Sequence, residues 1–334
     1  MNIVVQKYGG TSVENKENLK IICNKILEYT KRNIKLVVVV SAQGKTTDNL
    51  LSKASEYSCS PDKRDLDLLL MTGELQTVAL LTMMLKEKNI DAIGLTGEQA
   101  GIITDSTYGN ARIESIYINN ILNYLKNNMV AVVAGFQGID KFGNITTLGR
   151  GGSDLTAVAI ASALKAKKCE IYTDVDGIFT SDPKVVKKSK LLKRISYNEM
   201  LEAATSGARV LHNRSVHVGK KNNIKISVKN FKNITGGSSV ENLVENLEET
   251  KVKFITENSN ITKISIIGDL LITNKDIVYK IFNIAHEENI EIYMAAFSEL
   301  SINIVVDKSK AEILVNKLHE ELIENNEIDI NEKA

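Results

Sequence analysis

Residues 145–154 read Ile-Thr-Thr-Leu-Gly-Arg-Gly-Gly-Ser-Asp, and the apolar-periodic run Leu155-Thr-Ala-Val-Ala-Ile-Ala-Ser-Ala-Leu164 follows at once. Three glycines surround one arginine where a helix begins. Glycine lets the backbone approach a ligand closely, and a fresh helix start offers unpaired N–H groups and the positive end of a dipole to an anion. Arg150 adds a planar fork suited to a carboxylate or a phosphate. The stretch reads as a site for an anionic small molecule. Alone, it equally describes a glycine-rich turn with Ser153 or Asp154 as an ordinary helix cap.

The N-terminus repeats the logic. Asn2-Ile-Val-Val-Gln-Lys-Tyr8 reads as a short strand and Gly9-Gly10-Thr11-Ser12 as a turn. The helix expected next has a capping-box spacing, Thr11-x-x-Glu14, and an apolar face at Leu19, Ile22, Ile26 and Tyr29. A second strand, Leu36 to Val40, runs into Ser41-Ala-Gln-Gly-Lys-Thr-Thr-Asp48. Strand, glycine turn and helix in succession aim N–H groups at a phosphate, with Lys7 placed to meet it. Two common phosphate signatures fail. The P-loop needs glycine where Val39 stands, and a dinucleotide fingerprint started at Gly149 ends on Asp154 where glycine is required.

From residue 1 to 230, β-branched segments alternate with helix-period ones. Strands are predicted at 3–7, 36–40, 91–95, 130–134, 169–173 and 224–229, and helices near 12–32, 48–58, 65–89, 111–127, 153–167 and 197–222. Such alternation predicts an α/β domain with parallel strands, right-handed crossovers and helices on both faces. Ligands bind such sheets at the carboxyl ends of the strands. Lys7, Ser41, Gly135 to Gly138 and Thr173-Asp174 all stand there, which points to one shared crevice. The character changes at 232–250, where turn-rich Asn233-Ile-Thr-Gly-Gly-Ser-Ser239 gives way to acidic Glu241 to Thr250. Beyond it lie a strand (Ile261–Ile267), a helix (Asp276–Glu288), two strands (Ile290–Ala295, Ser301–Val306) and a helix (Lys310–Ile323), part of a ferredoxin-like unit. The expected domains are 1–240 and 250–325, with a frayed tail after Asn325.

Composition excludes several classes. The 334 residues carry a net charge of +1 with 25% charged side chains, which leaves no electrostatic footprint for nucleic acid or a membrane surface. Cys23, Cys59 and Cys169 lack metal-site spacing, and the four histidines form no H-E-x-x-H or triad pattern, so no protein-held metal is expected. No basic leader precedes Ile3, and the apolar stretches fall short of the roughly 20 residues that span a bilayer. The expected setting is cytoplasmic and reducing.

These residues together resemble the aspartate kinases, ATP-dependent enzymes that phosphorylate the side-chain carboxylate of L-aspartate. The resemblance is carried by Val5-Gln-Lys-Tyr-Gly-Gly-Thr-Ser-Val13, Val40 to Asp48, Thr72-Gly-Glu-Leu-Gln76, Leu95-Thr-Gly-Glu-Gln-Ala-Gly101 and Gly109-Asn-Ala-Arg-Ile113. It continues through Gly135-Phe-Gln-Gly138, Thr147 to Asp154, Tyr172-Thr-Asp-Val-Asp-Gly-Ile-Phe-Thr-Ser-Asp-Pro183, Ile195-Ser-Tyr and Ala208-Arg-Val-Leu-His212, covering residues 1–240. It implies a three-layer amino-acid-kinase fold, a mostly parallel sheet between helices, with a small C-terminal ferredoxin-like ACT domain. It implies ATP and L-aspartate as substrates, with Mg²⁺ carried by the nucleotide. By resemblance, Lys7 and Asp174 act at the transferring phosphoryl group, and Gly9, Gly10 and Ser12 line the phosphate cradle, with Tyr8 and Ser41 also assigned to ATP; Ser41 equally reads as a helix cap. Thr173, Asp174, Phe179 and Lys184 border the nucleotide. Glu74 and Arg150 hold the amino acid, assisted by Thr47, Gly151, Ser153 and Asp154.

The chemistry agrees. A carboxylate nucleophile is already ionised at pH 7 and needs no general base. Phosphoryl transfer then rests on positioning and charge neutralisation. Glu74 can pair the ammonium of aspartate and Arg150 its α-carboxylate, leaving the β-carboxylate free to attack. Four features depart from the family pattern. Lys184 replaces the arginine after Asp-Pro and loses its bidentate fork, and Asn213 replaces a proline after Leu-His. The region after Val240 holds one ACT-like module where the family has two, and Lys275-Asp276 stands where Pro-Gly is usual. That module is expected to pair subunits, as a homodimer or larger, without sensing lysine or threonine. Two rival readings are a kinase for another carboxylate or an acylated amino acid, which Glu74 disfavours, and a regulatory subunit without activity.

Overall fold

The computed structural model describes residues 1–205, 208, 210–233, 236–243, 258–268, 274–298 and 300–324. Arg209, the acidic stretch from 244 to 250 and the tail from Asn325 lie outside them. The chain divides into two units, Met1–Thr256 and Glu257–Ala334.

The first unit is built on eight strands: β1 (Ile3–Tyr8), β2 (Lys35–Val40), β3 (Ala92–Leu95), β6 (Val130–Ala134), β9 (Lys168–Thr173), β10 (Arg194–Ser196), β11 (Ile226–Asn230) and β12 (Ser238–Glu241). Their order is β10-β12-β11-β9-β1-β2-β6-β3, parallel except where β12 meets β11. A second sheet, β5-β4-β7-β8, joins β4 (Ile102–Thr104), β5 (Ile113–Ile116), β7 (Gln137–Ile139) and β8 (Ile145–Thr147). Among the described residues seven helices accompany them: α1 (Lys16–Lys31), α2 (Thr46–Tyr57), α3 (Lys63–Glu87), α4 (Asn119–Lys126), α5 (Gly152–Ala163), α6 (Tyr197–Thr205) and α7 (Asn213–Lys221).

Residues 36–40 and 130–134 are buried throughout because the large sheet is covered on both faces, hence their unbroken apolar runs. Alternation along each strand splits the core. Val5, Val37, Val39 and Ile171 pack with Ala157, Val158 and Ile160 of α5, whereas Val4, Tyr8, Val38 and Val40 pack with Ile22 of α1 and Leu81 of α3. Tyr8 lies opposite both Val40 and Tyr172, and Val40 opposite Ala134. The residues that follow therefore share one edge. Gly9 N–H donates to Tyr172 O at 3.3 Å, Ser41 N–H to Tyr8 O at 3.1 Å and Gly135 N–H to Val40 O at 3.0 Å.

The structure corrects four expectations. The first helix starts at Lys16, with Asn15 Oδ1 accepting from Asn18 N–H at 3.0 Å; Gly10–Ser12 is a separate 3-10 turn. Thr11 lies within that turn, four residues before the cap Asn15, and its carbonyl accepts from Asn18 Nδ2 at 3.0 Å. The helix expected over 111–127 yields residues 113–116 to β5, paired antiparallel with β4, and only Asn119–Lys126 is helical. The span 197–222 holds two helices, α7 being capped by His212. The small sheet, β10 and β12 had no signal, because strands of three or four residues show no period. In addition, α3 is long and apolar enough by composition to cross a membrane. Half of its apolar window is buried within the fold, and it carries Asp67 and Glu74 inward, the pattern of a core helix.

The second unit runs β13 (Ile261–Ile267), α8 (Lys275–Glu287), β14 (Ile292–Phe297), β15 (Ser301–Asp307) and α9 (Ala311–His319), the βαββα order read from the sequence. The sheet is antiparallel in the order β13-β15-β14, closed over Ile281, Ile284, Ile302, Ile304, Leu314 and Leu318.

Candidate active site

Strand alternation turns Lys7 toward α5 while Gln6 and Tyr8 face α1. Its ammonium sits 2.6 Å from Asp154 Oδ1 in the first turn of α5, and both side chains are largely buried, at 12% and 13% exposure. Beside this pair the turn after β1 forms a tight cradle. A Cβ on Gly10 would stand 3.0 Å from Ala42 O and 3.3 Å from Gly44 O, and one on Gly9 3.3 Å from Lys7 Nζ. The glycines thus keep main chain and ammonium accessible to a ligand. Ser12 is fully buried there, and its Oγ has no partner.

Glu74 comes from α3, which approaches the loop after β2 so closely that a Cβ on Gly73 would be 2.9 Å from Ala42 Cβ. Ala42 N–H donates to Glu74 Oε1 at 3.0 Å, while Oε2 is buried and unpartnered. With the residue only 3% exposed, desolvation pushes its carboxyl up to about 7. A buried carboxylate with one unmet oxygen is a receptor for a cation or a donor. Thr47 is half-buried in the first turn of α2, which meets α3 on the same side of the loop: Thr46 Cγ2 would be 3.4 Å from a Gly73 Cβ.

Arg150 is exposed between Gly149 and Gly151, both left-handed at φ +75° and +73°. A side chain on Gly151 would collide with His212, whose Cβ is 2.4 Å from the would-be Cβ. Ser153 is buried against Gly135, where a Cβ would come within 2.7 Å of its Oγ.

On the other flank, Thr173 Oγ1 donates to the exposed Asp174 at 3.0 Å, and Asn230 Nδ2 donates to Asp174 O and to Asp176 Oδ1. Gly177 makes the turn, packed on Ser238. Half-buried Phe179 bridges to Leu191, and exposed Lys184 follows the Asp182-Pro183 turn, its N–H on Asp182 Oδ1 at 2.8 Å.

Lys7, Gly9, Gly10, Ser12, Ser41 and Thr173 thus share the edge with Glu74, Ser153 and Asp154. The acid that meets Lys7 is Asp154, and Asp174 sits with Thr173 and Asn230 instead. The Tyr8 ring stacks on Tyr172 at 4.8 Å inside the core, so any ligand contact of Tyr8 is through its main chain.

Sequence reasoning missed a buried network beneath the edge. Glu170, wholly buried in β9, accepts from Gln6, Tyr29 and Tyr172 and pairs with Lys168 at 2.7 Å and Lys229 at 2.8 Å. The two lysines hold its carboxyl down at about 2 against the effect of burial. A lone glutamate inside the apolar strand Cys169-Glu-Ile-Tyr172 was the available signal. Among the described residues, no group of three or more His, Cys, Asp or Glu side chains could hold a metal.

The family model described as the amino acid kinase family matches residues 2–230, and an ACT domain model matches 264–322. The aspartokinase of Geobacillus stearothermophilus is 37% identical over 394 aligned positions, covering 96% of this chain and 97% of that protein. The aspartokinase of Bacillus sp. (strain MGA3) is 48% identical over 268 residues, 80% of this chain; the match spans 65% of that relative's length. Among solved structures, Escherichia coli aspartokinase III in complex with aspartate and ADP superposes with a TM-score of 0.79 at 25% identity, covering 95% of this chain and 83% of that one. The chain belongs to the amino acid kinase family, among its aspartokinases.

Proposed function

We propose that this chain transfers the γ-phosphoryl group of ATP to the side-chain carboxylate of L-aspartate, forming 4-phospho-L-aspartate and ADP. The observation that carries this reading is Glu74 Oε2, an unmet carboxylate oxygen buried at the same strand edge as the Lys7–Asp154 pair. Glu74 receives the ammonium of aspartate, and Arg150 closes on its α-carboxylate from the loop above, with Thr47, Gly151 and Ser153 at the margins. The β-carboxylate, anionic and unpaired, attacks the γ-phosphorus. Lys7 balances charge on the transferring group, and Asp154 holds that lysine in place. The Gly10 N–H and the hydroxyl of Ser12 donate to phosphate oxygens, with Gly9 leaving room beside Lys7 and Ser41 next to them, and Thr173, Asp174, Phe179 and Lys184 border the nucleotide. Mg²⁺ travelling with the nucleotide supplies further neutralisation of phosphate charge. No side chain need act as a base.

We further propose that the second unit pairs two chains in the cytoplasm. Among the described residues β13 and β14 are the outer strands of their sheet, and Met294 and Phe297 of β14 are exposed. Asn274 caps α8 by accepting from the N–H groups of Asp276 and Ile277 at 3.1 and 3.3 Å. That helix start is occupied by its own chain, which supports a module indifferent to amino-acid effectors. A coupled ADP-release assay with ATP and Mg²⁺ tests the reading, offering L-aspartate, L-glutamate or N-acetylglutamate with and without lysine and threonine. Turnover is expected on aspartate alone and unchanged by micromolar effector. Absence of turnover on aspartate would refute the kinase reading, and inhibition by lysine or threonine the silent module.

A further inference from the structure

The loop that presents Arg150 is gripped by two charges the proposed chemistry does not use. Asp67, buried on α3, accepts from Thr147 N–H at 2.8 Å, Thr147 Oγ1 at 2.6 Å and Gly109 N–H at 2.9 Å. Arg214, half-buried on α7, donates from Nη1 to Leu148 O at 2.6 Å and Asn110 Oδ1 at 3.1 Å, and from Nη2 to Ala111 O at 2.6 Å. An acid thus collects main-chain donors, and a guanidinium main-chain acceptors, from the same two segments, 109–111 and 147–148. These segments are themselves joined by Ala111 N–H on Thr147 O at 2.9 Å. The next residues are Gly149, whose Cβ would meet Gly109 O at 3.0 Å, and Arg150. Past Arg150, Gly151 lies against His212, the cap of the helix that carries Arg214.

Asp67 has a second property. It precedes Glu74 by seven residues on α3 and so shares its face two turns away, about 10 Å along the axis. One helix therefore holds Glu74 directly and the Arg150 loop through Asp67. We propose that Asp67 and Arg214 are positioning residues that set the separation between the Glu74 carboxylate and the Arg150 guanidinium, and with it the affinity for the amino acid. The inference rests on the proposed grip of Arg150 on the α-carboxylate. It also gives a role to Gly109-Asn-Ala-Arg-Ile113 and to the segment around His212, which form the far wall of the loop.

The test measures kcat and both KM values on the full chain for Arg150→Ala, Asp67→Asn and Arg214→Lys, and for each of the last two combined with Arg150→Ala. Lysine keeps the charge at 214 but loses the planar fork whose two nitrogens reach Leu148 O and Ala111 O. Asp67→Asn and Arg214→Lys are each expected to raise the aspartate KM about tenfold, as loss of a charged hydrogen bond would, with the ATP KM unchanged. Neither should add to the rise produced by Arg150→Ala, because both act through it. Equal rises in both KM values, or full additivity with Arg150→Ala, overturn the proposal. If Asp67→Asn does not fold, Arg214→Lys decides the question alone. An aspartate KM unmoved in the clamp variants but raised in Arg150→Ala defeats the clamp only. An aspartate KM unmoved in Arg150→Ala itself defeats the carboxylate grip, and this inference with it.

Discussion

Replacing Glu74 by glutamine should make the protein more stable and worse at binding aspartate, and both effects should vanish together as the pH falls. Burial raises the Glu74 carboxyl from 4.5 to about 7. Keeping it ionised above pH 7 costs the fold about 3 kcal/mol against a solvated glutamate, each pH unit of displacement being worth ~1.4 kcal/mol. The sign follows from proton binding. The folded state holds this proton more tightly than the unfolded chain, so the cost is absent below pH 4.5, grows through the interval and is complete above 7. Glutamine removes it while keeping an acceptor for Ala42 N–H at the Oε1 position. Its amide, though, leaves donors unmet where Oε2 was, which takes back about 1–3 kcal/mol. The net expectation at pH 8 is a gain of roughly 1 kcal/mol, or about 2–4 °C in Tm for a unit of this size. At pH 5.5 the wild-type carboxyl is already neutral, and the gain should disappear or reverse. Binding runs the other way. An ammonium paired to an ionised Glu74 is worth about 1.5–3 kcal/mol, so Glu74→Gln should raise the aspartate KM at least tenfold at pH 8. Near pH 5.5 the two proteins should converge. Calorimetric melts and initial rates across pH 5.5–8.5 provide both readings. A ratio of aspartate KM values that stays constant over that range would refute the argument, because it would mean that Glu74 does not meet the ammonium as a titrating carboxylate.

Three further outcomes are expected. Lys7→Met should lower kcat by about 10²-fold or more, the scale of removing one preorganised transition-state donor, while the aspartate KM stays near its original value; a large KM change with kcat intact would assign the lysine to ground-state binding. Gly10→Ala sets a methyl 3.0 Å from Ala42 O, a main-chain atom that cannot swing aside, and should cost about 1–3 kcal/mol in urea melts while raising the KM for ATP. Glu170→Gln leaves Lys168 and Lys229 facing a neutral group and should destabilise the first unit by about 3 kcal/mol at pH 7, after allowance for the partial exposure of both lysines. Because that carboxyl is held near 2, its contribution is whole above the ordinary 4.5 and fades as pH falls toward 2, so the gap between variant and wild type should narrow at pH 3.

How much was legible follows from the range of each interaction. The six strands foreseen all lie in the buried sheet, and the clearest of them, β2 and β6, are apolar over five successive residues because both faces are covered. The strands that escaped, β5 among them, are three or four residues long and exist because a distant segment pairs with them. The same divide runs through the site. Lys7, Glu74, Arg150 and Asp154 stood out because each sits beside glycines or at a helix start, a local arrangement with a local reason. The choice of acid for Lys7 was not local. Asp174 follows a strand end and Asp154 opens a helix, and only the packing of α5 against β1 brings Asp154 within 2.6 Å of Lys7.

By itself, then, the chain's order of residues determined that parallel strands end in glycine turns and that a lysine, an acid and an arginine gather at those ends. Periodicity and turn chemistry act over a few residues and survive without the fold. Tertiary structure decided the rest. It left Glu74 Oε2 buried and unmet, buried Glu170 among lysines, and closed Asp67 and Arg214 on the Arg150 loop. Desolvation and main-chain clamping depend on which distant segments arrive, and no spacing along the chain encodes that arrival.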